Sequence, residues 1–304
     1  MSALLVVLIV IAAGIRSCGS DDASSSTSGS ARGLLTSVLS RLTNAKSGSS
    51  VSSSSSTSGF GDADDPTART VSAIPASAAA TTNLTSRLTT SLDSIFSGAT
   101  YAVDVIDMST GGTVVGIDTD TIYTSASTYK LYVAYSMISA VESGEKTWES
   151  ELDGQTLQSC FATMIVNSDN DCPVAWLKQQ GFSAVNTEVH DAGFADTTIE
   201  DYNMRTDAAD LADYLTRLYQ GSFMDADSRA MLIKYMKTQV YRSGIPTGIG
   251  SNGTVADKVG FLDDLLHDAS IIYTTKGDYV MVILTNGSSW ASIAEAASTI
   301  YAAL

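Results

Sequence analysis

Ser127 and Lys130 are the residues whose types and spacing most directly suggest chemistry. They stand three positions apart, just before a run at residues 131–141 that is apolar on nearly every face. A helix of that composition belongs in a protein interior, and there the two side chains share one face. Partial burial lowers the pKa of a lysine, which can then act as a base towards a neighbouring serine. The pattern indicates an activated serine, or else a core helix that contains this spacing by chance.

Composition narrows the classes of function. The 304-residue chain has 33 acidic and 17 basic residues, which gives a formal charge of −16. Such an acidic surface repels phosphate backbones, so we expect no nucleic-acid partner. The two histidines, His190 and His267, lie far apart, and the three cysteines lack zinc-ligand spacing. We therefore expect no metal and no other cofactor, and we interpret both histidines as structural.

Residues 1–16 contain an apolar run at positions 3–15. As a helix the run is shorter than the roughly 30 Å core of a bilayer, so it fits a signal-like segment or an N-terminal anchor. The basic flank expected before a signal core is missing. The alternative is lipidation of Cys18, but Arg16 stands where a small residue is expected, so we favour the anchor.

Residues 17–80 are dominated by Ser, Thr, Gly, Ala and Asp and include an unbroken serine run at 52–56. Such a segment has little to bury and is expected to be a disordered linker. Residues 32–46 carry leucines on one helical face, which indicates either a membrane-surface or partner helix or a transient helix without a partner. An apolar start, a Ser-rich spacer and a compact domain together predict a protein tethered at the membrane, outside the cytoplasm.

The folded domain is expected at residues 81–304, as a monomeric catalytic unit. Periodicity predicts strands at 100–108, 113–117, 255–259, 269–275 and 279–284. It predicts helices at 84–96, from Ser127 to Gly144, and at 156–166, 173–181, 206–221, 228–241 and 291–303. Strands at both ends with helices between them predict an α/β (α+β) sandwich. Its five-stranded antiparallel sheet would be flanked by helices, with a helical subdomain inserted at about 145–250.

Three short motifs follow one another along this domain: Ser127-x-x-Lys130, Ser168-Asp-Asn170 and Lys258-Val-Gly260. In this order they resemble the S-x-x-K, S-D-N and K-T-G motifs of class A β-lactamases and penicillin-binding proteins. The resemblance covers residues 81–304 and extends to the setting of each motif: an apolar helix, a following helix and the returning strands. It implies an active-serine hydrolase of β-lactams or of D-Ala-D-Ala-like peptidoglycan peptides.

The resemblance also implies a role for each polar motif residue. Ser127 would become acylated, and Lys130 would help to take its proton. Ser168 would relay a proton towards the leaving nitrogen. Asn170 would hydrogen-bond the amide side chain of the substrate, and Lys258 would place positive charge opposite a substrate carboxylate.

The third motif departs from the family pattern at Val259, where the resemblance predicts a hydroxyl that binds the substrate carboxylate or assists proton transfer. Its absence is expected to weaken binding or to alter which substrates fit. Gly260 keeps the family residue. The N–H that follows Gly260 would form an oxyanion hole together with the N–H of Ser127.

A second departure concerns deacylation. Class A β-lactamases carry a glutamate on a loop that activates the hydrolytic water, and here the loop between Thr198 and Thr206 looks shortened by about ten residues. Glu200 lies in it, with Asn203 three residues on, whereas the family spacing is four. Glu200 is either the deacylating base or, as we favour, a solvated loop carboxylate.

Cys160 and Cys172 flank the Ser-Asp-Asn motif. Outside the cytoplasm they are expected to form a disulfide, with two buried free thiols as the alternative. Two further interpretations of the domain stay open: a penicillin-binding D,D-peptidase-like enzyme that deacylates slowly, and a non-catalytic wall-binding module that keeps the fold.

Overall fold

The computed structural model describes residues 83–304. These residues form nine α-helices: α1 (Thr85–Ile95), α2 (Lys130–Glu142), α3 (Leu157–Val166), α4 (Asp171–Gln180), α5 (Phe182–Asp191), α6 (Ala208–Gln220), α7 (Ala226–Lys237), α8 (Ile245–Ile249) and α9 (Trp290–Ala303). They also form ten strands: β1 (Thr100–Asp107), β2 (Gly112–Ile117), β3 (Tyr123–Thr124), β4 (Glu151–Leu152), β5 (Gln155–Thr156), β6 (Thr198–Glu200), β7 (Asn203–Thr206), β8 (Gly253–Leu262), β9 (Leu265–Thr274) and β10 (Asp278–Asn286).

The anchor expected at 1–16 and the linker expected at 17–80, with its possible helix at 32–46, lie outside the described residues. None of the helices formed by residues 83–304 has the length and apolar character needed to cross a membrane.

The main sheet has five antiparallel strands in the order β2-β1-β10-β9-β8. N-terminal and C-terminal strands therefore pair in its centre, as the sequence predicts. Strand β8 lies at one edge, and its register places Lys258 opposite Ala269 and Gly260 opposite His267. The third motif thus lies on a strand with one free side.

Apolar side chains on the two faces of the sheet form separate clusters. On one face α1, α8 and α9 pack around residues such as Leu92, Ile249 and Ile300, so the terminal helices share a face. On the other face α6 packs on β1 and β10, and α2 packs against α3, α4 and α5 of the helical insertion. Nine of the thirteen residues of α2 are buried. Because burying one aliphatic side chain contributes about 1.5–3 kcal/mol, α2 is a firm support for whatever precedes it.

Some local predictions were wrong. No helix is predicted at 182–191, yet α5 forms there; its buried positions are few, mainly Val185 and Val189, so its periodic signal is short. The helix expected at 206–221 begins two residues later. Thr206 ends β7, and the N-cap of α6 is Asp207, whose carboxylate accepts from Asp210 N at 2.7 Å. Helix α7 ends at Lys237 rather than at residue 241.

The inserted region contains short strands in addition to its helices. Strands β4 and β5 form a hairpin, and β6 and β7 form another that pairs with β3. The second hairpin occupies the shortened segment between Thr198 and Thr206. It also contacts the chain just before Ser127, because Ser125 N donates to Met204 O at 2.9 Å.

Candidate active site

Ser127 lies in a 3₁₀ turn, Ala126–Tyr129, that leads directly into α2. Residues three apart eclipse each other in such a turn, which favours a shared face for Ser127 and Lys130. Ala126 has a φ of 45°, a left-handed conformation that costs a residue with a Cβ roughly 1–2 kcal/mol. Thr128 Oγ1 closes the turn by donating to Ser125 O at 2.6 Å. The packing of α2 thus keeps Ala126 in its strained conformation directly before the half-buried Ser127.

Lys130 is buried at the start of α2, and its amine contacts the Ser168 turn. Nζ donates to Ser168 O at 2.6 Å and to Asn170 Oδ1 at 2.7 Å, and it lies 3.3 Å from Ser168 Oγ. Burial lowers the pKa of Lys130 to about 8, although the negative charge of Asp169 opposes the shift. A lysine with that pKa is partly neutral near neutral pH, and only the neutral amine can take a proton.

Ser168 lies in the turn between α3 and α4 and has a φ of 57°. Non-glycine residues keep this conformation only where the surroundings enforce it, and such residues cluster at functional sites. Here Asp169 enforces it: its N–H donates to Thr163 O at 3.2 Å, and its carboxylate accepts from Cys172 N at 2.9 Å. Asp169 therefore holds the turn through hydrogen bonds to the backbone.

A disulfide joins Cys160 on α3 to Cys172 on α4, with the two Cα atoms 5.3 Å apart. The predicted pairing is confirmed, and the free-thiol alternative is wrong. The bond closes the segment that contains Ser168, so it restricts the two helices on either side of the strained turn.

Lys258 approaches Ser168 from the opposite side. Its buried Nζ donates to Ser168 Oγ at 2.9 Å and to Val259 O at 2.7 Å. Burial, and then the nearby positive charge of Lys130, hold the pKa of Lys258 well below its usual range. The Ser168 oxygen thus lies between two lysine amines. Both of its lone pairs can accept from them, which leaves its own O–H proton free to be donated elsewhere.

Buried polar residues support Lys258 from behind. Asp257 forms an ion pair with Arg242, and its side chain also accepts from Gln239 Nε2 at 2.7 Å. Gln239 Nε2 donates to Asp257 O at 2.9 Å, and its Oε1 accepts from Val259 N at 3.2 Å. Burial, and then the charge of Asp268, raise the pKa of Asp257, while Arg242 and Lys258 oppose that rise. These contacts fix the strand on both sides of Lys258.

Gly260 allows β8 to lie against the serine turn. A Cβ at this position would lie 2.9 Å from Ser125 O and 3.0 Å from Ser127 N, which is too close for any larger residue without a shift. Val259 N points to the free side of β8, where it meets Gln239. Because N–H directions repeat every second residue, Phe261 N points to that same side. Phe261 N–H therefore points away from β9, directly after the residue that approaches Ser127 N.

His267 lies opposite Gly260 on β9 and is buried. Its Nδ1 accepts from Thr285 N at 3.2 Å, so Nε2 carries the hydrogen and donates to Thr124 O at 2.9 Å. Burial lowers the pKa of His267, in keeping with a neutral ring. His267 thus holds the segment that leads to Ser127, a contact that the sequence does not reveal. His190 Nε2 lies 2.7 Å from Thr197 O and is part of a separate contact.

Glu200 ends β6, and its side chain is exposed. The hydrogen bond that the structure shows for it comes from Asn203 Nδ2, at 2.9 Å, across the hairpin. The groups around Ser168, by contrast, are buried and linked to one another. The assignment of Glu200 as a deacylating base stays a prediction.

Four residues that no motif identified support the site: Gln239, Arg242, Asp257 and His267. Asp257 directly precedes the third motif, and this position could have identified it as a residue of the site. The other three are brought to the site by chain segments whose contacts the sequence pattern does not reveal.

The arrangement of helices and sheet is that of β-lactamases and related proteins. A structure of PBP-A matches with a TM-score of 0.67 at 21% identity, over 75% of this chain and 98% of that one. A structure of the class A β-lactamase of the last common ancestor of Gram-negative bacteria matches with a TM-score of 0.67 at 21% identity. The match covers 71% of this chain and 98% of that one. A variant of PBP-A, as an acyl-enzyme complex with penicillin G, matches with a TM-score of 0.66 at 19% identity. The match covers 72% of this chain and 96% of that one.

The sequence model of the β-lactamase enzyme family matches residues 83–304, so the chain belongs to that family. No curated protein matches the sequence.

Proposed function

We propose that residues 83–304 form an active-serine hydrolase that acts on β-lactams or on D-Ala-D-Ala-like cell-wall peptides through an acyl-enzyme on Ser127. The observation that carries this proposal is the position of Ser168 Oγ within 3.3 Å of Lys130 Nζ and 2.9 Å of Lys258 Nζ. Two buried lysines of lowered pKa around one serine hydroxyl suit the movement of a proton, not merely the stability of a fold.

In acylation, Ser127 Oγ attacks the carbonyl carbon, and neutral Lys130 accepts the serine proton. Negative charge develops on the carbonyl oxygen, which the N–H groups of Ser127 and Phe261 stabilise. The C–N bond then breaks, and the leaving nitrogen takes the proton of Ser168, which a lysine ammonium replaces. The proton that Ser127 loses is thus balanced by the proton that the leaving nitrogen gains.

Substrate binding is assigned to the groups at the mouth of the site. The Asn170 side chain is exposed while its Oδ1 accepts from Lys130, so its amide N–H₂ is oriented towards an incoming acyl group. Lys258 would attract a carboxylate of the substrate. Penicillin G, which acylates a variant of PBP-A, is a reasonable first substrate for this chain as well.

The short β6–β7 hairpin favours a second candidate, a penicillin-binding D,D-peptidase-like enzyme in which hydrolysis of the acyl-enzyme is slow. Hydrolysis needs a positioned base, and the exposed Glu200 pairs with Asn203 instead of joining the buried network. Loss of a general base typically costs about 10²–10⁴-fold.

Incubation with a chromogenic cephalosporin, followed by intact-mass measurement, separates these functions. Continued colour development with free enzyme supports a β-lactamase, and a lasting adduct on Ser127 supports the peptidase-like enzyme. If no β-lactam or activated acyl probe modifies Ser127, the proposal is wrong, and a non-catalytic wall-binding module becomes the leading interpretation.

We also propose that the domain works outside the cytoplasm, tethered to the membrane through residues 1–16 and the linker 17–80. The Cys160–Cys172 disulfide supports this location because such bonds persist in oxidising compartments. Protease treatment of intact cells should cut the full-length protein; complete protection would contradict the proposal.

A further inference from the structure

Two aspartates are buried where the start of α6 packs on β1. Asp104 on β1 is 6% exposed, and Asp207, the N-cap of α6, is 1% exposed. Within residues 83–304, neither Asp104 Oδ1 nor Asp207 Oδ2 has a hydrogen-bond partner, although both atoms are buried. Such atoms are rare in folded proteins because an unpaired buried oxygen costs free energy, so this pair requires an explanation.

The charges that act on the two carboxyl groups are negative. Burial, and then the charges of Asp207 and Asp120, raise the pKa of Asp104 to about 7. Burial also raises the pKa of Asp207 to about 6, against a hydrogen bond from the backbone of Asp210. The charges that raise it further are those of Asp210, Asp196 and Asp120. Each group is therefore held where a second negative charge is unfavourable.

The neighbouring elements supply no compensating positive charge. Across the sheet, Asp104 is paired with Gly116 on β2 and Val282 on β10, neither of which is ionisable. Tyr132 on α2 faces Asp207, and burial raises its pKa, so it stays neutral. A carboxyl group that keeps its proton is an O–H donor, and that donor can occupy the unpartnered oxygen of the other aspartate.

The start of α6 is also connected to the serine turn. Asp207 directly follows Thr206, the last residue of β7, and Thr206 Oγ1 lies 3.0 Å from the hydroxyl of Tyr132. On the same strand, Met204 O accepts from Ser125 N at 2.9 Å. A change in how α6 is held on β1 therefore reaches the β6–β7 hairpin.

We propose that Asp104 and Asp207 share one proton, which fastens the start of α6 to β1, and that release of this proton at alkaline pH loosens the β6–β7 hairpin beside the serine turn. The proton passes to water, and two buried negative charges then repel each other. Coupled carboxyl groups lose their protons in two separate steps, and the shared proton is the second of them.

The stability of the fold should consequently decrease as pH rises. The folded state binds the proton more tightly than the unfolded chain, where the pKa of an aspartate has its ordinary value of 3.8. The stabilisation is full below about pH 4 and is lost as pH rises through about 7, the pKa of Asp104 in the folded protein.

Denaturant titrations of the full-length protein at about pH 5.5 and about pH 8 test the shared proton. Asp104→Asn keeps the shape of the side chain but cannot ionise. Between these pH values, the unfolding equilibrium constant of the wild type should rise roughly 30-fold relative to that of Asp104→Asn. Glu295→Gln, an exposed change on α9, is the matched control and should follow the wild type.

Asp207→Asn repeats the test if Asp104→Asn folds poorly, because asparagine is an equally good N-cap. The double variant should show about the same effect as either single variant, since the same proton is removed in each case. Equal pH dependence in the wild type and in both single variants would overturn the inference. Stabilisation of the wild type alone by Ca²⁺ at about pH 8 would also overturn it, because a cation would then join the two groups.

Amide hydrogen exchange of residues 198–206 tests the connection to the hairpin. After correction for the intrinsic effect of pH, exchange in the wild type should become about 10-fold faster between about pH 6 and about pH 8. The same segment of Asp104→Asn should show no such change. Equal exchange in the two proteins would overturn the connection to the serine turn. None of these measurements uses a substrate, so their outcome is independent of the proposed function.

Discussion

The Ser168 turn and the β6–β7 hairpin both lie beside the serine turn, but they differ in character. The Ser168 turn is buried, strained, closed by a disulfide and contacted by two lysine amines. The hairpin is short, and the side chains at its tip are exposed, with Tyr202 fully so. Burial shifts the pKa values of ionisable side chains. The Ser168 turn provides this burial, and the hairpin tip does not. The contrast predicts an enzyme better equipped to form an acyl-enzyme than to hydrolyse it.

The contrast fails entirely if Ser127 is not the nucleophile. Ser127→Ala should abolish the covalent adduct with a β-lactam and reduce turnover by about 10⁴-fold or more. The side chain is half-buried and small, so the thermal midpoint should stay close to that of the wild type. An adduct of undiminished yield in Ser127→Ala, detected by intact mass, would place the chemistry elsewhere.

The pH dependence of acylation tests whether burial at the Ser168 turn activates Lys130. The lysine must be neutral to accept a proton, and its pKa is lowered to about 8, so acylation should rise with pH and level off above about 8. Between about pH 8 and about pH 6 the neutral fraction, and with it the rate constant for the burst, should fall roughly 50-fold.

Lys130→Ala should reduce acylation by about 10²–10⁴-fold and remove this pH dependence. Lys178→Ala, a change on α4 that touches no residue of the site network, serves as the control and should keep the wild-type profile. A flat profile in the wild type would show that Lys130 is not the base.

The same two regions show how far the sequence alone could predict the structure. The candidate site was predictable because Ser127, Lys130, Ser168 and Lys258 are carried by short motifs at the ends of regular elements. The all-apolar run of α2 and the β-rich segments at both ends likewise predicted the sheet and its central helix.

The hairpin was not predictable from local pattern. Its strands are three and four residues long, too short for a periodic signal, and its pairing with β3 depends on tertiary packing. The supporting contacts of Gln239 and Arg242 were invisible for a related reason. They depend on where the chain after α7 crosses β8, which no residue pattern in that segment specifies.

Loss of the disulfide should loosen the Ser168 turn without removing its chemistry. A cross-link over a loop of this length stabilises a protein by about 2–4 kcal/mol, mainly by restricting the unfolded chain. Cys160→Ala/Cys172→Ala should lower the free energy of unfolding by that amount in a denaturant titration. A reducing agent should lower it in the wild type but not in the double variant. Equal sensitivity of both proteins to the reducing agent would contradict the assigned pairing.

The smallest expected effect lies in the hairpin. Glu200 is exposed and bonded to Asn203, so Glu200→Gln should leave both the burst and the slow phase of β-lactam turnover within about two-fold of the wild type. Asn203→Ala, which removes the partner and keeps the carboxylate, is the matched control and should behave in the same way. If Glu200→Gln stops the slow phase and spares the burst, Glu200 is the deacylating base. The hairpin would then supply the second half of the reaction, and the protein would act as a true β-lactamase.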